Sequence, residues 1–330
     1  MPKAALPLLI TTLWAAPASA ALLQLSGAPL RGGHLRGSLD LPLERAAAGE
    51  TPVLTFTVGR GVEGMVAGTS RGMAGGQPLR LLLDTGATMT MLLPAAAARL
   101  GLRPQAEGEA PVTLAGGGVG CAQLRPRRLA LPLLRLTGLT PADGELRLEG
   151  AEALVLPVAA LPQGVDGVLG VASLRQLPFA IDPKAGWLRF GSRAIQPSQG
   201  VAAAAKSLPL RWKRGLPLLY LQGPRGPLPA LADTGAEGLF LAPDRQGDLT
   251  PLGPGEQITL VGICGAQPVT RLPALGVGLP GAGSSAAAVI VTPNPIFQQL
   301  GVKAILGQEL LSRYRQLWRL DLASPRLELR

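Results

Sequence analysis

The sequence predicts an all-β protein built from two related lobes. Short apolar runs rich in Leu and Val are punctuated throughout by Gly (44) and Pro (32), which favours many short strands over long helices. A set of four landmarks also occurs twice in the same order. Between the two sets lies 192–207, a stretch rich in Ala, Gly, Ser and Gln that reads as a connector.

The first twenty residues have the pattern of an export signal. Lys3 is followed by a mostly apolar run, and Ala18-Ser19-Ala20 supplies the small residues of a cleavage site. The run is short for a bilayer span, and no Cys stands at position 21 to carry a lipid. The expected product is exported, either periplasmic or secreted, and makes no stable membrane insertion. Residues 21–50 are polar and Gly-rich and are read as an N-terminal arm. Residues 51–195 form the first lobe, 196–207 the linker and 208–330 the second lobe.

The landmarks justify the two lobes in order. The run 78–87 ends in Asp84-Thr85-Gly86-Ala87, and its counterpart 227–236 ends in Asp233-Thr234-Gly235-Ala236. Next come 112–124 and 258–269, apolar segments around Gly-rich tips, each read as a hairpin and each carrying one of the two cysteines, Cys121 and Cys264. Val168-Leu169-Gly170 then matches Ile305-Leu306-Gly307, each expected to run into a short helix. Each half closes on a hairpin, with turns near 182–186 and 323–325. Four landmarks in one order point to duplication.

Several function classes fall away. Lys and Arg number 31 against 21 Asp and Glu, a formal charge of +10, but the arginines are scattered. The densest group, Arg125, Arg127 and Arg128, has no interleaved aromatics, so a solvated basic surface is expected and no nucleic-acid partner. His34 is the only histidine, which leaves little for a histidine-based metal site or a Ser-His-Asp triad. The 59–64 segment fits a dinucleotide fingerprint and 68–72 a nucleophile elbow. Both are followed by further glycines rather than a helix, and read as one long hairpin loop. No cofactor is expected.

The paired Asp-Thr-Gly-Ala remains. Each copy ends an apolar strand, so its aspartate sits where a buried strand opens into a tight loop. Gly in third place suits a backbone shape that a Cβ resists. Thr can hydrogen-bond across to the opposite loop.

With these residues the chain resembles the aspartic peptidases, the superfamily of pepsin and the retroviral proteases, over roughly 53–330. The resemblance implies a central cleft and two crossed loop pairs: Asp84-Thr85-Gly86 with Val168-Leu169-Gly170, and Asp233-Thr234-Gly235 with Ile305-Leu306-Gly307. It implies an endopeptidase in which Asp84 and Asp233 share one proton and activate a water, a behaviour for which that same superfamily is the type example. Ala87 and Ala236 are similar to the retroviral branch, and Glu237 stands where that branch often has an acid. With no hydroxyl there, an optimum less acidic than pepsin's is expected. The two hairpins would be flaps over an extended peptide or protein substrate. Cys121 and Cys264, at similar places in the flaps, would be either a bridge between them or two free thiols. Two motifs in one chain make a monomer sufficient for a complete site. The alternative is a catalytically silent protein that binds peptides or a partner on the same scaffold.

Overall fold

In the computed structural model the described residues are 15–17, 21–25, 30–47, 49–59, 76–104, 112–116, 124–158, 161–196, 206–262, 264–281 and 286–330. They form strands with a few one- or two-turn helices, as expected of an all-β chain.

The first lobe is a closed six-stranded barrel. Pro52–Val58 pairs with Gln77–Leu83, which runs parallel to Gly167–Leu169. The ring continues through Thr90–Leu92, Gly144–Val155 and Leu134–Thr137, and closes where Leu134 pairs with Val58. Closure leaves these strands no free edge. Leu54, Phe56, Leu81, Leu83 and Leu146 fill the interior, all fully buried.

The second lobe repeats this order with Leu216–Gly223, Gly226–Ala232, Ala304–Leu306, Leu239–Leu241, Ala287–Val291 and Gly265–Leu275. Its ring is closed by a single bridge. Gln222 and Gly278 exchange two backbone hydrogen bonds, 2.8 and 3.0 Å.

A six-stranded sheet joins the lobes, in the order Gly32–Pro42, Trp187–Phe190, Phe179–Asp182, Gln316–Arg319, Arg326–Leu329, Lys206–Pro209. The pseudo-twofold passes between its middle strands, where Phe179 pairs with Trp318. Their rings stack with centroids 5.8 Å apart, and Trp318 is fully buried. Both closing hairpins expected from the sequence are present here. The short helices after the apolar-Gly landmarks are Val171–Leu174 and Gln308–Leu311.

One expectation changes. The N-terminal arm is part of the fold from Gly32 onward: Gly32–Pro42 pairs on both sides, with Gly144–Ala151 and with Trp187–Phe190. Of its side chains only Leu35 and Leu39 are buried, so a strand with few inward positions reads as a polar arm. In the first lobe, Val112–Gly116 pairs with Ala21–Leu25; the rest of the expected hairpin, 117–123, lies outside the described residues. The second flap is the expected hairpin, Glu256–Gly262 with Gly265–Leu275, and Ala15–Pro17 runs parallel to its outer strand. Trp212 is 37% exposed, and Trp187 lies between the guanidinium groups of Arg189 and Arg315. Residues 60–75, which hold most of the dinucleotide-like and elbow-like motifs, lie outside the described residues; the strands on either side pair with each other.

Candidate active site

Asp84 and Asp233 meet at the junction of the lobes. Each follows the last residue of a strand that runs parallel to the apolar-Gly landmark of its own lobe. The Asp84 N–H donates to Leu169 O at 3.1 Å, and the Asp233 N–H to Leu306 O at 2.9 Å. Val171 N then donates to Ala87 O, and Gln308 N to Ala236 O, so each landmark grips both ends of its aspartate loop. A Cβ on Gly170 would lie 2.4 Å from Met89 O, and one on Gly307 2.3 Å from Ala236 O, which is why both landmarks end in glycine.

The threonines cross-link the lobes. Thr85 N donates to Thr234 Oγ1 (3.0 Å) while Thr234 N donates to Thr85 Oγ1 (2.9 Å). Each hydroxyl then donates back into the opposite strand, Thr85 to Ala232 O (2.8 Å) and Thr234 to Leu83 O (2.6 Å). These mutual hydrogen bonds between fully buried residues fix the separation and rotation of the two loops.

Gly86 and Gly235 act by a different route from the one the sequence suggested. Neither has a positive φ. A Cβ on Gly86 would lie 2.2 Å from the carboxyl carbon of Asp233, and one on Gly235 2.4 Å from that of Asp84. Each lobe's glycine makes room for the other lobe's acid.

The carboxyl groups are buried, and one oxygen of each is held. Gly86 N donates to Asp84 Oδ1 at 2.8 Å; Gly235 N and Ala236 N donate to Asp233 Oδ1 at 2.8 and 3.1 Å. The Oδ2 atoms accept from no donor among the described residues. The two groups are close enough to hydrogen-bond to each other, which requires a proton on one of them. Burial raises both well above the ordinary carboxylate range. For Asp84 the charge of Asp233 adds to that rise; for Asp233 burial is opposed by its hydrogen bonds, leaving it at about 7. Two acids this close hold one proton between them over a wide pH span.

Other contacts join the lobes around the pair. The Glu237 carboxylate reaches across to the first lobe and accepts from Glu50 N and Thr51 N, both at 2.9 Å, and from the Thr51 hydroxyl. Gln308 Nε2 donates to Thr234 O at 2.8 Å, bracing the second loop from behind. Glu237 had a sequence signal, being an acid four residues after a motif aspartate; its partners, two backbone amides, had none.

Cys264 is disulfide-bonded and buried; Cys121 lies outside the described residues. Cys264 stands at the tip of the second flap, yet its neighbours in the core belong to the first lobe and include Ala87, Met91 and Val168. Among the described residues no group of His, Cys, Asp or Glu is placed to hold a metal, and no helix is long and apolar enough to cross a membrane.

Residues 70–172, which contain Asp84-Thr85-Gly86-Ala87 and Val168-Leu169-Gly170, match the aspartyl protease family. The resemblance to the aspartic peptidase superfamily holds. Similar solved structures include conglutin gamma, a basic 7S globulin from lupine seeds. It is 12% identical over 88% of this chain and 94% of that chain, with a TM-score of 0.48. Basic 7S globulin from soybean is 9% identical over 91% and 95%, with a TM-score of 0.49. No curated protein matches the chain.

Proposed function

We propose that the chain is an exported aspartic endopeptidase that hydrolyses peptide bonds with Asp84 and Asp233. One observation carries the reading: two buried carboxyl groups, one from each lobe, lie in mutual contact, and one oxygen of each is held by backbone amides. A protein that only binds peptides has no use for two facing acids, which cost stability. The ionised member takes a proton from a water, whose oxygen attacks the peptide carbonyl carbon. The protonated member gives its proton to the carbonyl oxygen. Collapse of the tetrahedral intermediate returns that proton and passes the other to the leaving amine. An extended peptide with apolar residues at the scissile bond is the substrate. The Cys264 bond is proposed to join Cys121, tethering the flaps, and one chain holds the whole site.

Casein cleavage by the purified protein, blocked by pepstatin, is the first test. Asp84→Asn should lower kcat by about a thousandfold or more, since no single carboxylate can act as both acid and base. Activity should fall as pH drops through about 7, where the pair takes up a second proton at Asp233, and again at higher pH, where the shared proton leaves. Stability gives an independent readout with a fixed sign. A raised carboxyl pKa stabilises the fold fully below the unfolded value, and that contribution is lost as pH rises through the folded one. Asp233→Asn should therefore be more stable than wild type near pH 8, by roughly a few kcal/mol, with the gain shrinking towards pH 4. Tight peptide binding with no cleavage at any pH would favour the silent binding protein instead.

A further inference from the structure

The two lobes each send a first hairpin across to the other lobe's aspartate loop, and the two hairpins differ in charge. In the first lobe the turn between Glu44–Arg45 and Pro52–Val58 meets Glu237, four residues after Asp233. Its charges are all engaged: Arg45 with Glu50 at 2.7 Å, Glu44 with Arg80 at 2.6 Å, and Glu237 with backbone amides. In the second lobe the hairpin Arg211–Lys213 with Leu216–Gly223 meets Thr88, four residues after Asp84. A Cβ on Gly215, at its tip, would lie 3.8 Å from Thr88 Cγ2. Arg211, Lys213 and Arg214 are all exposed, and none forms an ion pair with a described residue; Arg211 lies over the Tyr220 ring at 5.9 Å and the Lys213 amine lies beside Gly301.

The turn itself is costly. Arg214 has φ +50°, and it is the one non-glycine with positive φ among the described residues; Gly215 follows at +79°. Two successive positive φ values make the two-residue turn that Asn-Gly serves best. An arginine in that place keeps a strained backbone and gains a guanidinium at the tip, and such strain collects at functional positions.

We propose that this basic turn is a specificity element, with Arg214 at its tip receiving an acidic side chain of the substrate on the Thr88 side of the cleft and Arg211 and Lys213 adding to the positive field behind it. The proposal rests on the peptidase reading. At the opposite hairpin the Glu237 carboxylate is already filled, so no matching preference for basic residues arises there. A substrate peptide therefore experiences a one-sided field, which orients it as well as attracting it.

The test uses two labelled peptides with the same apolar centre, one carrying Asp and Glu beyond it on one side, the other Asn and Gln. Wild type should favour the acidic peptide by about tenfold in kcat/KM at low salt, through KM, and by little at about 0.5 M salt. Arg214→Asn suits the turn, so it should fold at least as well as wild type while losing several-fold of that preference. The triple variant with Arg211→Gln and Lys213→Gln should lose nearly all of it, with cleavage of the neutral peptide unchanged. Equal kcat/KM for both peptides in wild type, or a preference that survives in the triple variant, overturns the proposal. Should neither peptide be cleaved, the peptidase reading fails separately. The same ratio, read as binding by fluorescence anisotropy, then decides this one by the same criteria.

Discussion

The first lobe closes its barrel with a continuous strand, Leu134–Thr137, between two neighbours, whereas the second closes with one bridge at Gln222 and Gly278. Around the aspartates the two are nearly superposable in chemistry. Each has the same strand order, the same threonine cross-link and a glycine yielding to the opposite acid. Divergence is free where one lobe can compensate alone and forbidden where each lobe completes the other. The symmetric part is thus the part that a shared proton needs.

The sharpest way to break this comparison is at the glycines. Gly86→Ala and Gly235→Ala should each remove activity, by about a thousandfold or more, and destabilise by on the order of 3 kcal/mol, because a methyl group would overlap a buried carboxyl. Turnover and thermal melting of both variants check it, and a harmless change on one side would show that the lobes are not equivalent there. Next are the threonines. Thr85→Val and Thr234→Val each strand a buried amide and a buried carbonyl of the opposite lobe. Each should cost roughly 2–4 kcal/mol in denaturant melts, equal within error, and the double variant less than the sum. The smallest effect concerns closure. Hydrogen exchange at the Gln222 and Gly278 amides should run faster than at Val58, reporting a second lobe that opens locally before the first.

Much of the site was legible because chemistry fixes residue type there. Asp, Thr and two glycines per lobe have few substitutes that keep the same bonds, so they stand out when they recur. The repeated landmarks carried the strand order with them. Gly32–Pro42 was not legible, since a strand with two buried side chains carries almost no periodic signal. Nor was the reason for Gly86: it lies against an acid of the other lobe, and a local rule about turn conformation supplied the right residue with the wrong cause. The Glu237 clamp failed for a similar reason, as backbone amides look alike in every sequence.

The joining sheet is finished by Gln316–Arg319 and Arg326–Leu329, and the second landmark by Ala304–Leu306. A ribosome delivers these pieces after everything else the site requires. While the second lobe is still being made, Asp84 has no companion. The paired-carboxyl site is complete only once both lobes exist.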